Sequence, residues 1–224
     1  MGKTIFVTGT DTGIGKTIIT ACLAAALLRK GKKVAVYKPV QCGNLLKGSI
    51  KSPDLALVRD LSGISEDCLF NDYSFKFASS PHLAAELENK KVNADVIKNH
   101  CNKLSKGFDY VLMEGAGGLL VPLTRDYTVL DLIKNLSVPA LVVSRAGLGT
   151  INHTSLTINA LKSGNIKTIG IIMNYFKGGK IEDDNKKIIE HLNGVPIIGT
   201  VPFSKNLKKI SENFEEYIDI NKIL

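Results

Sequence analysis

The sequence predicts an α/β fold, a single domain over residues 1–224 in which a mostly parallel sheet carries helices on both faces. Short apolar runs rich in β-branched residues alternate with longer segments at helical spacing, and near-continuous apolar strands are typical of a parallel sheet buried on both faces. No internal repeat, low-complexity segment or linker divides the sequence. Glycines stand where the helical segments should end, at Gly31, Gly63, Gly107, Gly164 and Gly194.

The predicted strands and helices alternate from the first element to the last. We expect strands over residues 4–8, 33–37, 110–113, 140–144, 168–173 and 196–201. We expect helices over residues 16–29, 54–61, 82–88, 94–104, 129–136, 152–162 and 182–192. In the tail from Phe203 onwards, Leu207, Ile210, Phe214 and Tyr217 recur at helical spacing. The glutamates among them favour a helix docked on the domain over one lying on a membrane.

Composition places the chain among soluble globular proteins, with 44% hydrophobic and 22% charged residues. The four cysteines lie far apart without a C-x-x-C pair, which argues against a zinc site or disulfide scaffold and favours free thiols in a cytoplasmic protein. No apolar run is long enough for a membrane span, so we expect no membrane association. The net charge of +8 comes from scattered lysines with few aromatic residues between them, so we expect no nucleic-acid partner.

The stretch Gly9-Thr-Asp-Thr-Gly-Ile-Gly-Lys-Thr17 has the character of a phosphate-binding loop between a strand and a helix. Gly13 and Gly15 allow a tight turn whose N–H groups face phosphate oxygens, and the helix that follows points its positive end at the same place. Lys16 supplies a cation for the phosphates, and the Thr17 hydroxyl is a magnesium ligand. Because the first glycine stands one residue early, the loop departs from the usual spacing, but it still predicts a P-loop NTPase-like nucleotide site.

An acidic residue at the end of a neighbouring strand is the partner that such a loop needs for magnesium. Glu114 follows the apolar run 110–113 and precedes Gly115-Ala-Gly-Gly118, a glycine-rich segment that suggests close approach of a ligand. The carboxyl ends of parallel strands are where these sheets bind ligands. We therefore expect Glu114 to lie beside the phosphate loop.

Three further segments are open to structural or functional interpretation. Lys38, after the second strand, is either a surface lysine or a second cation at the phosphate site. Asp54, in Ser52-Pro-Asp54, is explained locally as an acid in the first turn of a helix. The segment Ser80-Pro-His82 similarly indicates a helix start first and a substrate contact second.

A second glycine-containing turn, Gly147-Leu-Gly149, follows the fourth strand and opens a helix. Helix N-termini attract anions, so this turn predicts a second anion pocket. The alternative is a capped turn in which Thr150 or Asn152 serves as the cap. Two anion pockets would suit a nucleotide together with a second ligand that carries a carboxylate or phosphate.

These motifs, in this order, resemble those of the dethiobiotin synthase family of biotin biosynthesis, over nearly the whole chain from Thr4 to about Pro202. The matching segments are Gly9–Thr17, Tyr37-Lys-Pro-Val40, Asp54, Ser80-Pro-His82, Glu114-Gly-Ala-Gly-Gly118, Gly149-Thr-Ile-Asn-His153 and Asn174. The resemblance implies ATP- and Mg²⁺-dependent carboxylation of 7,8-diaminononanoate by CO2. A carbamate forms on one amine, attacks the γ-phosphate of ATP to give a carbamic–phosphoric anhydride, and the second amine closes the cyclic urea of dethiobiotin.

The resemblance also implies roles for individual residues. Lys16, Lys38 and Thr12 would be catalytic, and Thr17, Asp54 and Glu114 would surround magnesium. The nucleotide would contact Gly13, Ile14, Gly15, Lys16, Thr17, Ile18, Asp54, Glu114, Gly115, Ala116, Gly117, Asn174 and Tyr175. The diamine substrate would contact Thr12, Lys38 and Cys42. Its distant carboxylate would reach Thr150 and Asn152 of the second subunit of a homodimer.

The sequence departs from the family pattern at two places. Cys42 stands where the family usually has a small hydroxyl residue, which weakens a hydrogen bond to the substrate. Tyr175 and Phe176 replace the usual polar neighbours of Asn174, so the ranking of ATP against other nucleoside triphosphates stays open.

Other functions remain in view on the same fold. Switch-type partitioning and division-site ATPases carry an early lysine in the loop, where this sequence has Asp11 followed by Thr12. Amidotransferases of the cobyrinic-acid type usually carry an additional glutaminase domain, for which the chain has no room. A basic nucleic-acid-binding module would leave both glycine pockets unexplained.

Overall fold

The computed structural model describes residues 2–44 and 52–224, and its frame is a seven-stranded sheet. The strands are β1 (Lys3–Gly9), β2 (Val34–Tyr37), β3 (Val40–Gln41), β4 (Leu69–Phe70), β5 (Tyr73–Ser74), β6 (Tyr110–Gly118), β7 (Pro122–Thr124), β8 (Tyr127–Thr128), β9 (Ala140–Arg145), β10 (Thr168–Phe176) and β11 (Ile197–Pro202). The main sheet has the order β11-β10-β9-β1-β6-β2-β4, and all of its paired strands are parallel. Strands β3 and β5 form a small parallel pair, and β7 and β8 form an antiparallel hairpin.

Helices cover both faces of this sheet. They are α1 (Lys16–Arg29), α2 (Pro53–Ser62), α3 (Pro81–Leu87), α4 (Ala94–Gly107), α5 (Val129–Leu136), α6 (Thr150–Ser163), α7 (Lys180–Asn193), α8 (Leu207–Glu212) and α9 (Phe214–Tyr217). Buried side chains of α1, α2, α8 and α9 share one apolar core, and those of α3 to α7 share the other. Two short 3₁₀ turns, Glu66–Cys68 and Ile220–Lys222, complete the structure.

Alternation along β1 shows how the sequence fills both cores. Ile5 and Val7 point to the core of α1, whereas Phe6 points to the opposite core, and all three side chains are fully buried. Successive residues of a strand face opposite sides of a sheet, so a strand covered on both faces must be apolar throughout. The unbroken apolar run that predicted this strand follows from that requirement.

The predicted α/β class, with a mostly parallel sheet between two helical layers, is confirmed. The six predicted strands and seven predicted helices are all present, with ends that shift by a few residues. The short strands β3, β4, β5, β7 and β8 were not predicted. The tail docks on the domain as predicted, but Asn213 divides it into two short helices, of which Ile210 and Phe214 enter the core. Among the described residues, no helix combines the length and the apolar character needed to cross a membrane.

The parallel arrangement brings the sequence motifs to one edge of the sheet. The phosphate loop follows β1, Lys38 follows β2, Glu114 lies in β6, and Asn174 lies in β10. Since the chain reverses its direction of winding at β1, between β6 and β9, this edge contains the crevice where sheets of this kind bind ligands.

A capping box fixes the start of α5 beneath this edge. The Thr128 hydroxyl accepts a hydrogen bond from the Asp131 N–H, and the Asp131 carboxylate accepts one from the Thr128 N–H. We expect Thr128→Ala to lower the free energy of unfolding by about 1 kcal/mol, because it removes the cap. Urea denaturation measures the change. Thr157→Ala is the control, since the Thr157 hydroxyl bonds only to a carbonyl of its own helix; an equal loss in both variants would contradict this role of the cap.

Candidate active site

The phosphate loop is fastened to β10 by a side chain that sequence analysis assigned to the nucleotide base. The Asn174 amide, almost fully buried, donates a hydrogen bond to the Ile14 carbonyl over 2.9 Å. Gly15, which precedes α1, has a positive φ of 88°. A Cβ atom there would lie 2.1 Å from the Asn174 amide nitrogen, so this position admits only glycine. The end of the loop next to α1 is therefore held against β10.

Lys16 lies in the mouth of the loop and is only 7% exposed. Its ammonium donates a hydrogen bond to the Asp11 carbonyl over 2.9 Å. Burial lowers the pKa of Lys16 from 10.5 to about 8, although the nearby Glu114 carboxylate opposes the shift. A triphosphate in the loop would supply the negative charge that this buried ammonium lacks.

Lys38 joins the two acids that sequence analysis placed near magnesium. Its ammonium lies 2.6 Å from Asp54 Oδ2 and 2.7 Å from Glu114 Oε1. The Thr17 hydroxyl donates to the same Glu114 oxygen over 2.9 Å. Burial alone would lower the pKa of Lys38, but the two carboxylates outweigh it and raise the pKa above the ordinary value. Lys38 is thus a buried cation within the site, and its interpretation as a surface lysine is wrong.

The backbone around Lys38 is held by the segment that follows β4. The Lys38 N–H donates to the Phe70 carbonyl, and the Asn71 amide donates to the Lys38 carbonyl. The next residue, Asp72, accepts hydrogen bonds from the Tyr37 hydroxyl and from His100 of α4. This network could not be predicted from the sequence, because its members are separated by up to 63 positions and none belongs to a motif.

Asp54 is positioned by the residue that caps its helix. The Ser52 hydroxyl accepts a hydrogen bond from the Leu55 N–H at the start of α2. The same hydroxyl donates to the Gln41 side chain of β3 over 2.7 Å. The local explanation of Asp54 as a first-turn acid is therefore correct. The hydrogen bond from Ser52 to β3 also positions the Asp54 carboxylate beside Lys38.

The donors at this point suit a magnesium ion. The described residues contain no group of three histidine, cysteine or acidic side chains that could hold a metal by itself. The Thr17 hydroxyl and the two carboxylates that contact Lys38 are all hard oxygen donors. Magnesium is commonly held by one or two carboxylates together with substrate phosphates, so this donor set fits the ion once a nucleotide is present.

Two adjoining cavities open beside these charges. A polar cavity of about 470 Å³ is lined by Thr12, Lys38, Cys42, Asp54, Ser80 and Gly117. A second cavity, of about 530 Å³, is called the apolar cavity here because Leu119, Leu120, Val121 and Leu156 line it; its rim carries polar residues that include Asp11, Thr12 and His153. Because Thr12 and Val121 belong to both, the two spaces together suit a ligand with a polar end and an aliphatic chain.

Cys42, which the resemblance places against the substrate, lies in the wall of the polar cavity. Burial raises the pKa of its thiol to about 11, although the Lys38 charge opposes the shift. The side chain is therefore a neutral thiol near neutral pH, with weak hydrogen-bonding capacity.

At the second predicted anion pocket, the start of α6, one of the two candidate side chains is already hydrogen-bonded and the other is exposed. The Thr150 side chain is buried, and its hydroxyl donates to the Arg145 carbonyl over 2.6 Å. Asn152 is exposed at the first turn of the helix. Of the two candidate caps, neither bonds the helix N-terminus through its side chain, since the residue before the helix is Gly149.

Aromatic residues surround the predicted base site. Tyr175 has a φ of 60°, a conformation that bulky side chains rarely adopt. Its ring meets that of Phe203 edge-on, with 6.1 Å between centroids. Phe203, which sequence analysis did not single out, is 56% exposed. Two aromatic rings therefore lie beside Asn174, the residue that the resemblance places at the base.

Proteins of similar sequence share one name. The family profile described as "AAA domain" matches residues 3–211. A protein of Clostridium acetobutylicum named ATP-dependent dethiobiotin synthetase BioD is 40% identical over 223 residues, covering 97% of this chain and 92% of the relative. A protein of Nitrosopumilus maritimus with the same name is 36% identical over 226 residues and covers 99% of each chain.

Solved structures of similar shape are more distant in sequence. A ParA family ATPase from Chlorobium tepidum has a TM-score of 0.61 at 19% identity, covering 94% of this chain and 88% of that one. The cell division ATPase MinD of Pyrococcus furiosus has a TM-score of 0.58 at 21% identity, covering 96% and 99%. These likenesses show the P-loop NTPase fold. The full-length sequence matches establish that the chain belongs to the family of ATP-dependent dethiobiotin synthetases.

Proposed function

We propose that this chain converts 7,8-diaminononanoate, CO2 and ATP to dethiobiotin, ADP and phosphate, as one cytoplasmic domain over residues 1–224. The observation that carries the proposal is the convergence of Lys16, Thr17, Lys38, Asp54 and Glu114 beside a polar cavity. A nucleotide site alone needs no second buried lysine facing such a cavity. A reaction that joins phosphate to a second anion does need one.

The two lysines serve the phosphoryl transfer. Lys16, poorly solvated in the loop, neutralises the terminal phosphates, and Lys38 lies in the cavity wall where a carbamate would be held. The attacking carbamate and the phosphate it approaches are both anions, so catalysis is mainly positioning and electrostatic stabilisation. The loop N–H groups of Gly13 and Gly15 hold the phosphates in line.

The acids complete the nucleotide site. Thr17, Asp54 and Glu114 would hold Mg²⁺ together with the nucleotide phosphates. When bound, the ion supplies charge neutralisation across the transferred phosphate. Lys38 shares both carboxylates, so it fixes their orientation before any ligand arrives.

The two cavities would fix the orientation of the organic substrate. The diamine end would lie in the polar cavity against Thr12, Lys38 and Cys42, and the aliphatic chain would follow the apolar cavity past Leu119 and Val121. Cys42 offers packing and little hydrogen bonding there. The aromatic pair described above would stack on the adenine, with Asn174 bracing the loop.

A homodimer would complete the site. Three leucines near the mouth of the apolar cavity and at the α6 turn are strongly exposed: Leu120 at 70%, Leu148 at 88% and Leu156 at 61%. Exposed apolar clusters of this kind mark association surfaces. In the dimer, the start of α6 with Asn152 and the Thr150 backbone would receive the substrate carboxylate of the other subunit.

A switch ATPase is the alternative function on this fold. The position where such proteins carry a lysine holds Asp11, whose carboxylate lies 3.4 Å from the Arg145 guanidinium. An acidic side chain paired within its own chain cannot reach phosphates as that lysine does. This contact favours the synthetase over the switch.

Product analysis tests the proposed activity. We expect incubation with diaminononanoate, bicarbonate, Mg²⁺ and ATP to give one cyclic urea per phosphate released, because the ring closes only through the phosphorylated carbamate. Mass spectrometry identifies the urea, and a coupled assay counts the phosphate. Phosphate release that ignores the diamine, with no urea formed, would favour the switch ATPase.

Replacing Lys38 tests the second cation. We expect Lys38→Met to reduce the rate of urea formation by about 10²-fold or more, because a preorganised charge is lost where negative charge gathers. Lys33→Met, at an exposed lysine just before β2, is the matched control and should retain the rate. Circular dichroism of both variants establishes that they fold. A folded Lys38→Met protein with full activity would remove this residue from the mechanism.

Mixing two inactive variants tests the shared site. Each proposed site combines Lys16 of one subunit with Asn152 of the other. When Lys16→Ala and Asn152→Ala subunits form a mixed dimer, both substitutions therefore fall in one site and the second site has neither. We expect subunit exchange to restore about a quarter of wild-type activity, since half of the dimers are mixed and half of their sites are intact. Each variant alone, treated identically, sets the baseline. A mixture no more active than its components would argue against carboxylate binding across subunits.

A further inference from the structure

Ser80 and His82, at the start of α3, connect the polar cavity to a third cavity. Ser80 lines the polar cavity with Lys38 and Asp54, and its hydroxyl lies 3.0 Å from Nδ1 of His82. His82 in turn lines a separate cavity of about 320 Å³ on the other side. Ser80 and His82 therefore lie between the polar cavity and the third cavity.

The Ser80 hydroxyl does not cap α3, although Ser80 stands at the N-cap position of that helix. Ser80 is the N-cap residue of α3, where a serine usually accepts a hydrogen bond from the N–H two or three residues later. No such bond is present here, whereas the corresponding serine of α2, Ser52, makes it. The hydroxyl instead faces His82, so the segment is more than a helix start.

The proposed reaction, on which this inference rests, must dispose of protons. Carbamate formation follows R–NH3⁺ + CO2 → R–NH–COO⁻ + 2H⁺. Ring closure forms the second N–C bond, breaks the C–O bond of the anhydride, and releases hydrogen phosphate and one further proton from the second ammonium. A base that reaches the polar cavity and exchanges with water would accelerate both steps.

The other side chains in the polar cavity are poorly suited to accept these protons. Asp54 already binds the Lys38 ammonium, as does Glu114 from outside the cavity lining, and Lys38 itself is a cation. Cys42 is a neutral thiol with a pKa raised by burial. Among these residues, Ser80 alone leads to an imidazole, the side chain whose proton exchange operates near neutral pH.

We propose that Ser80 and His82 relay protons from the substrate amines to solvent. In the tautomer with its proton on Nε2, His82 accepts the Ser80 hydroxyl proton at Nδ1 while Ser80 takes one from the amine. The resulting imidazolium releases a proton into the third cavity. Ser80 touches the substrate, and His82 acts through it.

Charged groups of both signs surround His82. On its own helix Glu86 faces it, held by the Arg125 guanidinium through bonds of 2.8 and 2.7 Å. The third cavity also contains Lys90 and Lys91 after α3 and Asp126 of the β7–β8 turn. These groups surround the opening through which a proton would leave the relay.

Substitution of both residues tests the relay. We expect His82→Asn to lower kcat for urea formation by about 10²-fold while the KM for ATP stays unchanged, and its rate to keep rising with pH as the amines lose protons directly to water. Ser80→Ala should have the same effect, and the double variant should be no slower than either single one, since the two residues act as a unit. The unchanged KM for ATP also establishes that the variants are folded.

Chemical rescue separates proton transfer from structure. We expect added imidazole to restore activity to His82→Ala, because the third cavity has room for it, and to leave Ser80→Ala inactive. His191→Asn, an exposed histidine of α7, is the matched control and should behave as wild type. A wild-type protein that forms no urea would overturn the proposed function and this inference with it. An active wild type with an equally active His82→Asn, multiplicative effects of the two substitutions, or failure of rescue would overturn the relay alone.

Discussion

The buried contact of Lys38 with Asp54 and Glu114 is the interaction on which the site depends. Removing charged groups from water costs several kcal/mol per ion, and the cost is offset only where the partners are held in good geometry. Here the partners come from the residue after β2, from α2 and from β6. Loss of Lys38 would leave the buried Glu114 carboxylate without its cationic partner. The sheet register, the cap of α2 and the segment after β4 therefore all contribute to one ammonium position.

This arrangement explains why the fold places its polar groups where it does. Parallel strands offer one edge at which every carboxyl end meets, and the interior of the sheet stays apolar on both sides. The buried polar side chains of the site all lie at that edge, including Lys16, Lys38, Glu114 and Asn174. Among the residues that the structure describes, the buried charged side chains are Lys16, Lys38 and Glu114. The chemistry is confined to the edge because only there can loops surround a ligand without disturbing the sheet.

The sequence allowed the frame and the phosphate site to be predicted, since both rest on local signals. Apolar periodicity predicted the strands and helices, and the spacing of Gly13, Gly15, Lys16 and Thr17 predicted the loop. The features that the sequence did not predict depend on contacts between distant residues. They are the hydrogen bond of Ser52 to Gln41 and the network of Tyr37, Asp72 and His100. Such pairs leave no periodic trace, because each partner is ordinary in its own segment. For Lys38, the local pattern favoured the surface, and tertiary packing decided otherwise.

The acid at position 11 can be understood from the charge of the proposed substrate. A diamine arrives as a dication, and the loop residues Thr10 to Thr12 line the apolar cavity through which its chain would pass. A lysine at this position would stand beside Arg145 and add to the repulsion of an incoming ammonium. Asp11 instead pairs with Arg145, so the rim carries no net charge from the two. In the proposed reaction, the early glycine and Asp11 would thus adapt a phosphate loop to a cationic ligand, while Lys16 and the loop N–H groups would serve the nucleotide.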